Sequence, residues 1–192
     1  VEKLEKENQI IIEKWKEAKE RSKIKGEEVR QWPRLKRHPV QSQDFHANLY
    51  NGMIHPLIPY TLRGAIWYQG EANAGSHKEA KLYRKMLENL TQSWREDWND
   101  TFSFYAVQLV NFMAPVKSPI QDSGWAHIRQ SFLDYHKDVE KAGIAVGIDV
   151  GDASDIHPKD KQTIGYRLAQ QALVHDYKFD RVPGCLLYTS PS

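Results

Sequence analysis

The chain has 192 residues, of which 40% are hydrophobic and 27% are charged, and its formal net charge at pH 7 is +2. This composition is typical of a globular domain with a hydrophobic core. No run of about 18 apolar residues occurs, so the sequence predicts no membrane span. Acidic residues are interleaved among the lysines near the start of the chain, which argues against nucleic acid as a partner.

The start of the chain has the hydrophobic spacing of an amphipathic helix. Its apolar residues recur at intervals of seven, four and three positions: Leu4, Ile11, Trp15 and Ala18. This spacing predicts a helix over residues 2–31. Pro33 and Pro39 then break regular structure. We therefore assign residues 1–44 to a helical connector or insertion.

The remainder alternates between short apolar runs and helical patterns. Buried strands are predicted at Gly64–Tyr68, Phe102–Val110 and Gly143–Asp149. Helical spacing separates these strands, and Pro158 suits the first position of a last helix. Repeated alternation of this kind favours a parallel sheet with helices on both faces. Functional groups in such sheets gather where the strands end.

The loop after the third strand holds the richest set of chemically active side chains: Asp149, Asp152, Asp155 and His157. Histidine is the usual general base near neutral pH, and a neighbouring carboxylate fixes its tautomer. The alternative structural role is that Asp155 and His157 only cap the following helix. A polar turn, Gln69-Gly70-Glu71-Ala72-Asn73, follows the first strand and offers the amide donors that an oxyanion site requires.

Four ordered blocks resemble the sialate O-acetylesterases, over about residues 45–176. They are Leu49–Leu57, Gly64–Asn73, Gln108–Phe112 and Asp155–Gln162. Those enzymes are SGNH-type hydrolases, with a three-layer, flavodoxin-like α/β fold, a Ser-His-Asp site and no cofactor. The resemblance implies an ester hydrolase that removes O-acetyl groups from sugars, sialic acid foremost. It also implies a periplasmic or secreted protein, because family members often work outside the cytoplasm.

By this resemblance His157 is the catalytic base, and Gln69, Gly70, Glu71 and Asn73 form the substrate or oxyanion site. The family usually places its aspartate three residues before the histidine, but Ser154 occupies that position here. We choose Asp155 as the orienting acid, with Asp152 and then Asp149 as alternatives. Which of the polar groups after the first strand donates to the oxyanion stays open at this stage.

The sequence departs from the family in its nucleophile. No serine of the chain follows a strand in a Gly-x-Ser turn. We therefore expect this chain to be a C-terminal fragment, inactive alone, whose serine lies upstream. Residues 45–184 are then the C-terminal part of the esterase domain. Residues 185–192 back-translate to a string resembling a sequencing-library adapter, which predicts that they are read-through.

Two other functions compete with this interpretation. Asp149, Asp152, Asp155 and His157 have the ligand chemistry of a metal-dependent hydrolase. A non-catalytic carbohydrate-binding protein would instead stack sugars on aromatic residues: Trp67, Tyr68, Trp94, Trp98 and Trp125. Against that, most of the aromatic residues fall on predicted core stripes. We therefore favour the esterase, acting on O-acetylated glycans without a metal.

Overall fold

The computed structural model describes residues 2–28, 31–38, 40, 42, 45–115, 118 and 122–180. The chain divides into two compact units, residues 1–59 and residues 60–192. The predicted read-through segment, residues 185–192, lies outside the described residues, and the predicted boundary at residue 44 stays a prediction. None of the helices in the described part of the chain is long and apolar enough to cross a membrane.

The first unit contains one long helix, α1 (Glu2–Lys25). The helix ends six residues before the predicted position, because Gly26 adopts a left-handed φ of 68° that terminates it. A later segment runs back along the helix, where Asn8 Nδ2 donates to the Lys36 carbonyl at 2.7 Å and Trp15 Nε1 donates to the Gln31 carbonyl at 2.7 Å. Further along, a π-helical turn (Tyr50–Ile54) leads into a 3-10 turn (His55–Leu57).

The second unit is built on a three-stranded parallel sheet in the order β1-β2-β3. The strands are β1 (Gly64–Trp67), β2 (Ser103–Val107) and β3 (Ala142–Ala145). Three helices accompany them: α2 (His77–Trp98), α3 (Gly124–Asp138) and α4 (Lys161–His175). The predicted parallel α/β arrangement is confirmed.

The helices cover the sheet from two sides and make three layers. One core cluster joins Phe104 and Ala106 of β2 to apolar residues of α2 and α3, with Ile128 and Phe132 at its centre. A second, smaller cluster joins Val107 of β2 to α4 residues. Because successive residues of a strand point to opposite faces, α2 and α3 pack on one face and α4 on the other.

The last helix begins later than predicted. Pro158 does not open α4: it is buried in the preceding loop, and the helix starts at Lys161. Asp160 supplies the N-terminal cap, since its carboxylate accepts from the Thr163 N–H at 2.9 Å and from the Thr163 hydroxyl at 2.6 Å. The side chain of Asp160 decides the start of the helix.

The core cluster generates a stability prediction. Ile128 is fully buried, whereas Ile148, in the same unit, is 49% exposed. We expect Ile128→Ala to lower the free energy of unfolding by about 2–5 kcal/mol, because it removes packed atoms and leaves a cavity. Ile148→Ala serves as the matched control and should cost less than about 1 kcal/mol. Urea denaturation followed by circular dichroism measures both, and equal losses would contradict the assigned core.

Candidate active site

The end of β1 is fixed by a buried tyrosine of α2. The Tyr83 hydroxyl accepts from Trp67 Nε1 at 3.1 Å and donates to the Gln69 carbonyl at 2.7 Å. Burial raises the pKa of Tyr83 to about 12, so the hydroxyl keeps its proton and stays a donor at neutral pH. The polar turn after β1 therefore leaves the sheet from a fixed point.

Gly70 begins this polar turn in a conformation that other residues rarely adopt. Its φ is 147° and it is buried. A Cβ at this position would lie 3.2 Å from Ile128 Cδ1 and 3.3 Å from Tyr83 Cζ. The backbone angle therefore favours glycine, and any larger side chain would also have to displace Ile128 and Tyr83 by a few tenths of an ångström.

The polar groups of the turn differ in their availability to a substrate. The Gly70 N–H donates to Glu71 Oε2 at 2.9 Å, so the neighbouring carboxylate already occupies it. The side-chain amides of Gln69 and Asn73 form no hydrogen bond with any residue that the structure describes. Both side chains are half-buried. Two amide donors at the end of β1 are therefore available for an incoming oxygen.

Asp149, which lies within the turn that follows β3, is engaged by a cation. Arg167 of α4 makes a bidentate contact with the carboxylate, at 2.6 and 2.7 Å, and also donates to the Val146 carbonyl at 2.6 Å. The Arg167 guanidinium lowers the pKa of Asp149 from its usual range. This aspartate therefore anchors the start of the histidine loop, defined here as residues 149–157.

The middle of the histidine loop is fixed to the segment that follows β2. The Gly151 N–H donates to Asn111 Oδ1 at 2.7 Å, and the Met113 N–H donates to the Ala153 carbonyl at 3.1 Å. The two backbones approach so closely that a Cβ on Gly151 would lie 2.0 Å from the Asn111 carbonyl oxygen. Asn111 therefore holds the loop through its side chain, and Gly151 permits the contact.

The segment that carries Asn111 is in turn held by α3. Arg129 donates through Nε to the Leu109 carbonyl at 2.9 Å and through Nη2 to the Val110 carbonyl at 2.8 Å. Trp125 Nε1 donates to the same Val110 carbonyl at 2.8 Å. These bonds satisfy backbone acceptors that leave the sheet, and they connect α3 to the histidine loop by way of Asn111.

At the end of the loop, Asp155 lies beside His157. The Asp155 Oδ1 atom accepts from the His157 backbone N–H at 2.9 Å and lies 3.5 Å from the ring Nδ1. The ring is 84% exposed, and no hydrogen bond to its Nε2 occurs within the described residues. Nδ1 is therefore the nitrogen turned toward a carboxylate, while Nε2 is accessible.

Asp152 has a different partner. Its Oδ1 accepts from the Ser154 N–H at 2.8 Å and from the Ser154 hydroxyl at 2.7 Å, and these bonds lower the pKa of Asp152. Of the three candidate aspartates, only Asp155 contacts the ring of His157 in the described part of the chain.

The polar turn after β1 and the histidine loop after β3 both lie at the carboxyl end of the sheet, because β1 and β3 both run parallel to β2. A contact joins their neighbourhoods, because Lys161 Nζ lies 5.1 Å from the centre of the Tyr68 ring. No hydrogen bond links His157 to Gln69, Glu71 or Asn73 in the described residues. The structure therefore brings the two predicted motifs to the carboxyl end of the sheet without a hydrogen bond between them in the described residues.

Neither competing function is favoured by the side chains. Within the described ranges no group of three or more His, Cys, Asp or Glu side chains is placed to hold a metal ion. Asp149 and Asp152 are instead engaged by Arg167 and Ser154. The tryptophans that a sugar-binding surface would use pack against Phe104 in the core: Trp67 and Trp94.

The fold is a parallel α/β domain, and a histidine–aspartate pair follows the last strand of its described sheet. The sequence profile described as "Carbohydrate esterase, sialic acid-specific acetylesterase" matches residues 13–174. The chain belongs to that carbohydrate esterase family.

Individual relatives agree with the family assignment. Mouse sialate O-acetylesterase is 36% identical over 140 residues, which cover 64% of this chain and 25% of the mouse protein. The rat protein of the same name is 35% identical over 147 residues, covering 68% of this chain and 26% of the rat protein. A crystal structure of a carbohydrate acetylesterase from Xanthomonas citri superposes with a TM-score of 0.63 at 39% identity, over 70% of this chain and 31% of that one. This chain thus spans about a quarter of the length of its curated relatives.

Sequence reasoning missed Asn111 and Arg167 as supports of the histidine loop. Asn111 lies inside one of the blocks that carry the family resemblance, Gln108–Phe112, so a signal was present without a role attached. Arg167 gave no signal, because an arginine in a helix is ordinarily exposed and its bidentate contact with Asp149 depends on the tertiary fold.

The Asn111 contact predicts a local change in dynamics. We expect Asn111→Ala to speed amide hydrogen exchange in residues 149–157, most at Gly151, since it removes the acceptor of that N–H. Gln130→Ala is the control, because Gln130 bonds only to the exposed side chain of Asp134. Hydrogen–deuterium exchange with mass spectrometry measures both variants. Unchanged exchange at Gly151 would show that Asn111 does not hold the loop.

Proposed function

We propose that the complete protein removes O-acetyl groups from sugars, sialic acid in particular, and that His157 is its general base. The family match over residues 13–174 supports the reaction class. The observation that carries the assignment of the base is the position of His157, with Nδ1 facing Asp155 and Nε2 open. This is the orientation that a serine hydrolase requires, because one ring nitrogen faces the acid and the other faces the serine.

Asp155 is the proposed orienting acid. Its carboxylate lies 3.5 Å from Nδ1, which exceeds the length of a hydrogen bond. Catalytic contacts are often long in the absence of substrate and shorten in the reacting complex. A small rotation of the ring is enough to close this distance, because the backbone N–H of His157 already holds the carboxylate in place.

The side-chain amides of Gln69 and Asn73 are the proposed oxyanion donors. Both lack hydrogen-bond partners in the described part of the protein, whereas the Gly70 N–H donates to Glu71. An oxyanion site needs donors that are held in place and otherwise unoccupied. Tyr83 supplies the fixed frame, since it binds the Gln69 carbonyl. Asn73 follows on the 3-10 turn Glu71–Asn73, where its N–H donates to the Gly70 carbonyl at 2.9 Å.

The nucleophilic serine is proposed to lie in a part of the protein outside this chain. Ser154 is the one serine of the histidine loop, and its hydroxyl donates to Asp152. Strand β1 is an edge of the described sheet, and its Ile66 side chain is 70% exposed. Such an edge accepts a further strand. A parallel strand beside β1 would end next to Gln69. It would place a serine at the carboxyl end of the sheet, near the polar turn and the histidine loop.

The proposed reaction has two steps. The serine oxygen attacks the acetyl carbonyl carbon while His157 Nε2 takes its proton, and collapse of the tetrahedral intermediate returns that proton to the departing sugar oxygen. Water then attacks the acetyl-enzyme with His157 again accepting a proton. Acetate leaves and the serine recovers its hydrogen.

The three aspartates of the histidine loop give a ranked test in the complete protein. We expect Asp155→Asn to lower kcat by as much as about 10⁴-fold, the order of loss for the same change in a serine-protease triad. Asp152→Asn is the control of equal charge change and should retain most activity. Asp149→Asn should mainly lower stability, because it weakens the Arg167 contact. Ester hydrolysis assays together with circular dichroism separate these effects, and near-normal turnover in Asp155→Asn with collapse in Asp152→Asn would transfer the role to Asp152.

The 192-residue chain by itself offers a test of the missing nucleophile. We expect it to hydrolyse p-nitrophenyl acetate no faster than its His157→Ala variant, because no serine attacks the ester. The complete protein, with an apolar strand and a Gly-x-Ser turn upstream of Val1, should show turnover that His157→Ala abolishes. Turnover by the 192-residue chain that a serine-directed reagent stops would contradict the proposal.

A further inference from the structure

A cavity with a positively charged lining lies at the amino end of the sheet, where the parallel strands begin. It has a volume of about 260 Å³ and is lined by Thr101 and Ser103 at the start of β2, Lys141 before β3, and Arg63 before β1. The chain after α4 closes it with Lys178. The candidate active site lies where the strands end, so this cavity lies at the opposite end of the strands.

Three cations line this cavity without a carboxylate partner. Lys141 Nζ donates to the Thr101 carbonyl at 2.8 Å, Lys178 Nζ to the His175 carbonyl at 2.7 Å, and an Arg63 Nη to the Asp176 carbonyl at 3.2 Å. None of the three forms an ion pair within the described residues. Arg63 also lies over the Tyr177 ring, with Cζ 5.7 Å from its centroid, but no carboxylate within the described residues neutralises any of the three charges.

Two carboxylates also line the cavity, Asp100 and Asp176. Asp176 is occupied, since it accepts from the Ser103 hydroxyl and from the Tyr105 hydroxyl at 2.8 Å. The two hydroxyls direct its negative charge toward β2. The cations of the lining thus outnumber the carboxylates three to two, and one of the two carboxylates is already hydrogen-bonded.

Both lysines adopt backbone conformations that favour glycine. Lys141 has a φ of 50° and Lys178 a φ of 57°. Lys141 lies in a turn closed by the Ala142 N–H and the Val139 carbonyl at 3.2 Å, and Lys178 follows the end of α4. Glycine or asparagine is usual at such positions. Strained residues that cluster around a cavity are a pointer to function, because the backbone strain is retained although glycine would remove it.

We infer that this cavity binds a small oxyanion, a phosphate, sulfate or carboxylate group, through Arg63, Lys141 and Lys178. Ammonium and guanidinium groups recognise such groups through charge-assisted hydrogen bonds. In this arrangement the anion accepts from N–H donors of the three cations that the backbone carbonyls do not use. The site is independent of the proposed esterase reaction, which takes place at the carboxyl end of the strands.

The test is a titration of the 192-residue chain with inorganic phosphate at pH 7 and constant ionic strength, followed by calorimetry and by NMR. We expect saturable binding with one site, and shifts of the backbone amides of Lys141 and Lys178. Parallel titrations with sulfate, acetate and free sialic acid distinguish a tetrahedral oxyanion from a carboxylate as the preferred group.

The lysine conformations allow variants that lose the charge without losing the fold. Lys141→Gly and Lys178→Gly remove backbone strain, so the ligand-free Tm should stay equal or rise, while phosphate Kd should increase roughly tenfold for each lost ionic contact. Asn99→Gly is the matched control, since it relieves a φ of 48° without changing charge, and its Kd should be unchanged. Lys81→Gln controls for net charge. Absence of saturable binding, or a phosphate Kd that Lys141→Gly and Lys178→Gly leave unaltered, would overturn the inference.

Discussion

The buried hydroxyl of Tyr83 joins the packing of the core to the shape of the candidate site. It bonds both to the indole of Trp67 inside the sheet and to the carbonyl of Gln69 where the strand ends. Its ring also packs against Phe132 of α3, with centroids 5.5 Å apart. Tyr83 and Ile128 pack closely around Gly70, whose φ of 147° favours glycine. The position of the proposed oxyanion donors therefore depends on how α2 and α3 pack.

The histidine loop is fixed more firmly at its start and middle than at its end. Arg167 binds Asp149, and Asn111 binds Gly151, both at hydrogen-bond distances below 2.8 Å. His157, by contrast, has an exposed ring whose one ion-pair partner in the described part of the chain is Asp155. A general base must move between a serine and a leaving group, which requires a fixed backbone and an unobstructed ring. The distribution of contacts along this loop supports the proposed role of His157.

The sequence predicted the elements of the second unit because each has a clear hydrophobic period. Phe104–Val107 is an apolar run, and the helical spacing of Trp125, Ile128 and Phe132 places a helix between β2 and β3. The start of α4 was wrong, because Pro158 is as suitable for a loop as for a first helical turn, and the Asp160 cap decided between them. Element ends depend on such single side-chain contacts, which periodicity does not contain.

The candidate site shows the same division between local pattern and tertiary contact. Asp155 and His157 are two residues apart, so the loop itself brings them close to each other. Asn111 and Gly151 are forty residues apart, and their contact exists only because β2 and β3 are neighbours in the sheet. Which aspartate faces the ring also required the structure, since Arg167 and Ser154 engage the other two.

The carboxyl end and the amino end of the parallel sheet differ in how their charged side chains are partnered. At the carboxyl end of the strands, Asp149 is paired with Arg167, and the uncharged side-chain amides of Gln69 and Asn73 form no hydrogen bond within the described residues. Amide donors suit a charge that exists only in a transition state, because they stabilise it without binding an anion strongly beforehand. At the amino end of the strands, the ammonium groups of Lys141 and Lys178 donate to backbone carbonyls. Permanent cations suit an anion that is already charged in solution. The two proposed sites therefore suit different negative charges: a transient one at the amides and a permanent one at the cavity.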